Sequence, residues 1–253
     1  MVFDEAVFPL LSPGYVFEMS SRIRFSPRAV YEVTSFLIEE GIVTEKTSVY
    51  DPFCGNGTLL YTLSLLFPDI FHTVIGSDAK PGAVKTTGRN LSLTRTEGLN
   101  DEIERLEEKL TRPSSRQISK SDYRRLDALN ALKPYIPGHT LGTSMKVFQG
   151  NVFRQGYADD YVLPGSVDLV FSDPPYCNAC PWYLPDGRAV KSLERQDPFG
   201  SLRPYIRNDS KLVLFYEKGA IPRLDGLDVL ARKIHHGHAI DREVYICEMK
   251  ARP

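Results

Sequence analysis

The sequence predicts an α/β fold with a mostly parallel sheet, a terminal antiparallel strand and a helical insertion. Short apolar segments with strand character alternate with helical segments along the chain, which is typical of parallel α/β sheets. A longer charged segment with helical spacing, residues 97–133, interrupts this alternation. The chain has 253 residues, 42% of them hydrophobic, which is enough to fill the core of one large domain.

The main domain is predicted over residues 47–253, after an N-terminal helical segment over residues 1–46. Within that segment, Ser26-Pro27 has the pattern of a helix N-cap followed by proline at the first helical position. Apolar residues at helical spacing follow over 29–41, and they predict an amphipathic helix.

The strands of the main domain are recognised as apolar, β-branched segments bounded by short loops. They are predicted at 47–53, 72–78, 145–153, 166–176 and 211–218, with a terminal antiparallel pair at 227–237 and 242–251. Helices are predicted at 57–67 and from residue 81 onward. Strand, helix, strand with short loops implies parallel pairing with right-handed crossovers.

The insertion at 97–133 is predicted to be a helical hairpin between the second and third strands. Its second limb concentrates five cations: Arg112, Arg116, Lys120, Arg124 and Arg125. Two interpretations stay open, namely a solvated helix face or an arm that contacts phosphates. The formal net charge of −1 decides neither, because a local basic face is enough to bind a nucleic acid.

A glycine-rich turn between the first predicted strand and helix indicates a cofactor site. Gly55 and Gly57 allow a tight turn and a close backbone approach to a ligand. Asp78 ends the next strand, where a carboxylate accepts hydrogen bonds from ribose hydroxyls. Asp51 begins the turn, and its charge disfavours a pyrophosphate but suits the cationic amino-acid part of S-adenosylmethionine.

The segment Ser172-Asp173-Pro174-Pro175-Tyr176 follows the fourth predicted strand and is the candidate catalytic loop. The prolines fix φ and remove amide donors, so the loop presents the Asp173 carboxylate and the Pro174 carbonyl as acceptors. Acceptors of this kind would hold the N–H groups of an exocyclic amine on a base and aim its nitrogen lone pair at the methyl group. Tyr176 would stack on that base.

These motifs resemble those of class I methyltransferases. The pattern at 51–58, D-P-F-C-G-N-G-T, is similar to their first motif, and D-P-P-Y is similar to the signature of enzymes that methylate amino groups of adenine, cytosine or guanine. Together with the insertion and the tail at 217–234, they resemble the AviRa family of avilamycin-resistance 23S rRNA methyltransferases over roughly residues 20–250. The loop departs from the D-x-P-Y form of that family only at its second residue.

The resemblance implies a Rossmann-like class I methyltransferase fold, S-adenosylmethionine as cofactor and a guanine of 23S rRNA as acceptor. It also implies that the insertion helps to bind RNA. The attacked nitrogen stays open between the ring nitrogen and an exocyclic amine. The cofactor-binding residues are then Asp51, Phe53, Gly55, Gly57, Asp78, Ala79, Asn151 and Val152, and the catalytic residues are Asp173, Pro174, Pro175 and Tyr176.

Alternative functions differ in acceptor or in class. The related enzyme functions are amino-methylation of DNA and methylation of a protein glutamine. A ribosome-associated module that binds the cofactor without chemistry is the alternative of another class, and the intact D-P-P-Y loop disfavours it. A nicotinamide dehydrogenase is disfavoured by Asp51 and by the missing third glycine.

Cys177 and Cys180 have the spacing of half a zinc site, but zinc needs two further ligands, for which His235, His236 and His238 are candidates. No metal is predicted. Trp182 and Tyr183 would either frame a flipped base or form a hydrophobic plug. Three arginines precede the first long helix and would lie near the substrate face: Arg22, Arg24 and Arg28.

The N-terminus lacks the basic and apolar regions of a signal peptide, and no apolar run reaches the length of a membrane span. A cytoplasmic protein with free thiols is therefore expected. A monomer is plausible, although the sequence does not determine the oligomeric state.

Overall fold

The computed structural model of the chain describes residues 5–19, 25–111, 119–136, 143–175, 181–190, 197–236 and 241–251. The helices are α1 Val7–Leu11, α2 Pro27–Glu39, α3 Thr58–Leu66, α4 Pro81–Ser92, α5 Thr96–Thr111 and α6 Lys120–Leu132, with short 3₁₀ turns at Lys133–Tyr135 and Gly200–Leu202. The strands are β1 Thr47–Asp51, β2 Phe71–Asp78, β3 Ser144–Gln149, β4 Val167–Ser172, β5 Trp182–Tyr183, β6 Ala189–Val190, β7 Ile206–Glu217, β8 Leu227–His235 and β9 Arg242–Met249.

Seven strands form one sheet in the order β3-β2-β1-β4-β7-β9-β8, and β5 and β6 form a separate hairpin. The five strands from β3 to β7 are parallel, whereas β9 runs antiparallel to both β7 and β8. The predicted mostly parallel sheet with a terminal antiparallel strand is thus confirmed. The strand order reverses between β1 and β4, which is where open α/β sheets bind ligands at their carboxyl ends.

The central strands are buried on both faces, because alternate side chains enter two different hydrophobic clusters. Val49 and Leu169 pack with apolar residues of helices α1 to α6 on one face. Their neighbours Tyr50 and Val170 pack on the other face against the segments near Ala158 and Leu202. Burial on both faces explains why these strands are near-continuous apolar runs.

Local sequence signals account for several element ends. The Ser26 hydroxyl accepts a hydrogen bond from the Ala29 amide at 3.4 Å, which confirms the predicted cap of α2. The third strand ends at Gln149 instead of residue 153, because the Asn151 side chain accepts from the Phe153 amide at 3.0 Å and forms a turn.

The insertion forms the helices α5 and α6 between β2 and β3. Arg125 of its cationic limb points inward, with its guanidinium 3.1 Å from Glu102 and 3.5 Å from Glu18. Lys120 and Arg124 lie exposed on α6, whereas Arg112 and Arg116 lie outside the described residues. In the part of the chain that the structure describes, no helix has the length and apolarity needed to cross a membrane.

Candidate functional site

A cavity of about 450 Å³ opens at the carboxyl edge of the sheet, beside the place where the strand order reverses between β1 and β4. It receives residues from the turn after β1 and from the ends of β2, β3 and β4. The predicted site residues that line it are Phe53, Gly55, Asp78, Ala79, Asn151, Val152, Asp173 and Pro175. Asp51 and Gly57 are not among its lining residues, Pro174 is buried beside it, and Tyr176 lies outside the described residues.

The turn between β1 and α3 requires glycine at residue 57. Gly57 has a left-handed φ of 79°, and a Cβ added there would lie 2.8 Å from Cγ2 of Thr87. Its amide donates to the Cys54 carbonyl at 2.7 Å, which closes the turn. Gly57 therefore shapes the cofactor turn, and Gly55 is the glycine that lines the cavity.

Asp78 is fixed at the cavity wall by two backbone amides. Oδ2 accepts from the Gly55 amide at 3.1 Å, and Oδ1 accepts from the Lys80 amide at 2.8 Å. Burial raises the pKa of Asp78, and the two backbone hydrogen bonds oppose that rise. Each carboxylate oxygen has a further lone pair, so this geometry leaves acceptor capacity for the two hydroxyls of a ribose.

Asp51 lies behind the cavity and joins the ends of β1 and β4. Its Oδ1 accepts from the Phe53 amide at 3.0 Å and from the Ser172 hydroxyl. Burial raises the pKa of Asp51 to about 7, and the negative charges of Asp173 and Asp78 add to that rise. Because Ser172 directly precedes Asp173, Asp51 helps to fix where the candidate catalytic loop begins.

The end of β3 forms the wall opposite the turn. The Asn151 side chain, besides accepting from Phe153, donates from Nδ2 to the Tyr183 carbonyl at 2.8 Å. A Cβ on Gly150 would lie 2.7 Å from the Tyr157 ring, so glycine is required where this wall passes close to that side chain. Both polar groups of the Asn151 side chain therefore hold the wall in shape, and Val152 adds an apolar surface.

The β5–β6 hairpin covers the outer side of the cavity. The Trp182 ring is 3% exposed and packs edge-on against Phe53, with ring centroids 5.3 Å apart. Tyr183 is half-buried at the cavity wall, with the Lys80 ammonium 4.6 Å from its ring centroid. Of the two interpretations of this pair, the buried Trp182 ring fits the hydrophobic plug, and it lines the cavity together with Tyr183 and Lys80.

Asp173 forms an ion pair that the sequence did not predict. Nη1 of Arg242 lies 3.1 Å from Oδ1 of Asp173, and the two side chains are 5% and 19% exposed. Arg242 is the first residue of β9, and its guanidinium lies 4.7 Å from the Phe25 ring centroid. No motif contains Arg242. Its one signal in the sequence is its place at the start of a predicted antiparallel strand, which puts it at the carboxyl edge of the parallel strands.

The candidate metal ligands are only partly described. No group of three or more His, Cys, Asp or Glu side chains able to hold a metal occurs among the described residues. His235 pairs with Glu32 at 3.0 Å and His236 with Asp241 at 3.2 Å. Arg28 pairs with Glu5, whereas the remaining cysteine, histidine and arginine candidates lie outside the described residues: Cys177, Cys180, His238, Arg22 and Arg24.

Among the solved structures with this fold, two are similar over nearly the whole chain. Both are of the rRNA methyltransferase AviRa from Streptomyces viridochromogenes, at 2.4 Å and 1.5 Å. The first superposes with a TM-score of 0.68 over 97% of this chain and 93% of the other, and the second with 0.69 over 98% and 94%. Sequence identity is 19% in each, so these structures establish the fold alone.

Sequence comparison identifies the family. The chain is 30% identical, over 175 residues, to the 23S rRNA (guanine(2535)-N(1))-methyltransferase of Streptomyces viridochromogenes. That alignment covers 68% of this chain and 64% of the relative. The profile of the family described as rRNA methyltransferase AviRa matches residues 19–237, which is most of the chain. The chain therefore belongs to the AviRa family of rRNA methyltransferases.

Proposed function

We propose that this chain transfers a methyl group from S-adenosylmethionine to N1 of a guanine in ribosomal RNA. The observation that carries the proposal is the cavity. In this member of the AviRa family, Asp78 and Asp173 of the candidate catalytic loop both line it. The relative with 30% identity is named for methylation of a guanine at N1 in 23S rRNA, which favours the ring nitrogen over the exocyclic amine.

The cavity fits S-adenosylmethionine in size and in the chemistry of its walls. Its volume of about 450 Å³ is in the range of small-molecule sites. Asp78 would accept from the ribose hydroxyls, and the Gly55 turn lets the backbone approach the ligand closely. The apolar side chains of Phe53, Val152 and Trp182 would enclose the adenine.

When bound, S-adenosylmethionine would supply the methyl group from its sulfonium, with the electron pair of the S–CH₃ bond left on sulfur and a new bond formed to N1. N1 of neutral guanine carries a proton, which has to leave. Asp173 is the carboxylate at the catalytic loop that lines the cavity, so it is the proposed acceptor of that proton. The Pro174 carbonyl would accept from the neighbouring amine of the base.

The same carboxylate would distinguish guanine from adenine. As the partner of the Arg242 guanidinium, Asp173 carries acceptors only. The base-pairing edge of guanine offers two adjacent donors, N1–H and the 2-amino group, whereas N1 of adenine is an acceptor. A lone pair of adenine N1 would face the carboxylate, and unpaired polar groups of this kind disfavour the wrong base strongly.

The proposal is tested by incubating the protein with tritium-labelled S-adenosylmethionine and separate pools of unmodified ribosomal RNA, DNA and protein. We expect label in ribosomal RNA only. Label in DNA or protein instead would show that the acceptor is not ribosomal RNA. Cofactor binding by calorimetry without transfer to any pool would favour the non-catalytic module.

A further inference from the structure

Topology places an arginine from the far end of the sequence beside the catalytic loop. Strand β9 is antiparallel, so its first residue lies at the edge where the parallel strands end, and Arg242 pairs in register with Glu217, the last residue of β7. From there it reaches past β7 to Asp173, which follows β4.

The Arg242 side chain is held on several sides. It is 5% exposed, stacks on Phe25 and lies directly across from His235, its partner on β8. His235 in turn is tied to Glu32 of α2 at 3.0 Å. An arginine fixed in this way holds a carboxylate in one orientation, because its planar guanidinium is already ordered before the hydrogen bond forms.

We propose that Arg242 is the positioning residue of the methyl transfer, and that it fixes the Asp173 carboxylate in the orientation that receives the guanine edge. This inference rests on the proposed function, since Asp173 is the group that touches the base. Arg242 acts through Asp173. It neutralises the carboxylate in a half-buried site and holds Oδ1, which fixes how the carboxylate faces the cavity.

The test is single-turnover methylation of ribosomal RNA at saturating cofactor. R242M keeps the apolar packing on Phe25 but loses the ion pair, and we expect its rate to fall about 100-fold, the loss typical of a misplaced catalytic group. The dissociation constant of S-adenosylmethionine and the KM for RNA should change little. R242K keeps a charge without the planar fork and should recover part of the rate.

A double-mutant comparison separates positioning from a separate contribution to folding or binding. If Arg242 acts only through Asp173, D173A/R242M loses no more rate than D173A alone. The matched control is R232M, because Arg232 lies on the adjacent strand β8, pairs with Glu243, and lies 5.8 Å from the centroid of an aromatic ring, that of Tyr245, but does not line the cavity. Its rate should stay near that of the unaltered protein.

Two results would overturn the inference while leaving the proposed function intact. One is an R242M rate equal to that of the active unaltered protein. The other is a rate loss in D173A/R242M equal to the product of the two single losses. If R242M does not fold, R242K provides the same comparisons. Full activity of R242K, together with a large loss of rate in D173A, would count against a role for the guanidinium. An unaltered protein that transfers no methyl group to RNA refutes the proposed function instead.

Discussion

Asp51 and Asp173 lie at the ends of adjacent strands, yet their surroundings give them different tasks. Asp51 is buried behind the cavity and bonded to Phe53 and Ser172, whereas Asp173 lines the cavity and pairs with Arg242. The sequence identified both acids from their motifs. It did not show that one shapes the strand ends while the other faces the cavity, because motif spacing carries no information on burial.

Replacement of Asp173 by alanine tests its role as the acceptor of the proton. D173A should lower the rate of methyl transfer by about 10²–10⁴-fold, the range for loss of a general base. Calorimetry should show nearly unchanged affinity for S-adenosylmethionine, since Asp78 and the turn are untouched. D173N keeps the shape of the side chain and serves as a control for folding. Full transfer by D173A would contradict the assignment.

The titration of Asp51 predicts a pH dependence of stability. Burial raises its pKa to about 7 in the folded chain, whereas in the unfolded chain it titrates near ~4. The folded state therefore holds a proton that the unfolded state loses between these values. Asp51 thus contributes stability that is fully present below pH ~4 and is lost as pH rises through about 7.

D51N keeps an Oδ1 acceptor for Phe53 and Ser172 but does not titrate. The free energy of unfolding of D51N, relative to the unaltered protein, should therefore rise by roughly 2–4 kcal/mol between pH 4 and pH 8. Urea unfolding at several pH values measures this difference. Parallel stability curves for the two proteins would show that Asp51 does not titrate as described.

At the scale of elements, the hairpin β5–β6 is the part of the site that sequence patterns located least well. Its strands have two residues each, too short for a periodic signal. Trp182 nevertheless encloses the cavity through Phe53 and Phe153, with centroid distances of 5.3 and 5.9 Å. The position of this hairpin depends on aromatic packing between segments that are distant in the sequence, and sequence patterns do not show such packing.

Removal of the Trp182 ring should open that wall. W182A should weaken binding of S-adenosylmethionine about 10-fold and lower stability by about 3–5 kcal/mol, the usual cost of deleting a buried aromatic ring. W182F keeps an aromatic ring against Phe53 and should retain most of the affinity. Calorimetry and thermal unfolding measure the two effects, and an unchanged affinity in folded W182A would exclude the hairpin from the site.

The insertion is joined to the cofactor turn by a short chain of contacts. Arg125 pairs with Glu18, and the Asn90 side chain donates to the carbonyls of Glu18 and Asn56 at 2.9 and 2.7 Å. Asn56 lies within the turn between β1 and α3. The helical spacing predicted the two helices of the insertion, but the inward direction of Arg125 depends on these tertiary partners.

The exposed cations of α6 test the phosphate-contacting interpretation of the insertion. K120A/R124A should weaken RNA binding and reduce the slope of log affinity against log salt by about 1–2, because each phosphate contact adds roughly 0.7–0.9 to that slope. R207A/K211A removes two cations of β7, which pair with Asp168 and Glu248, and serves as the control for the loss of two positive charges outside the insertion. Equal slopes for all three proteins would favour the solvated helix face.

At the scale of the whole molecule, the sequence predicted the alternation of strands and helices, the insertion and the antiparallel end of the sheet. The order of the strands was not predicted, since periodicity does not state which strands are neighbours. That order brings β1 beside β4 and Arg242 beside Asp173, although each of these pairs is far apart in the chain. The site therefore depends on the strand order of the sheet as well as on the residues of its motifs.

The most direct test of the central claim is nucleoside mass spectrometry of ribosomal RNA that lacks its native modifications, after incubation with the protein and S-adenosylmethionine. The account predicts 1-methylguanosine as the new nucleoside with the unaltered protein, and its formation about 10²–10⁴-fold more slowly with D173A. A methyl group on another nucleoside, or on the exocyclic amine of guanine, would contradict the assignment of Asp173 to the N1 proton. No methylated nucleoside, with cofactor binding intact, would contradict the claim that this chain methylates RNA.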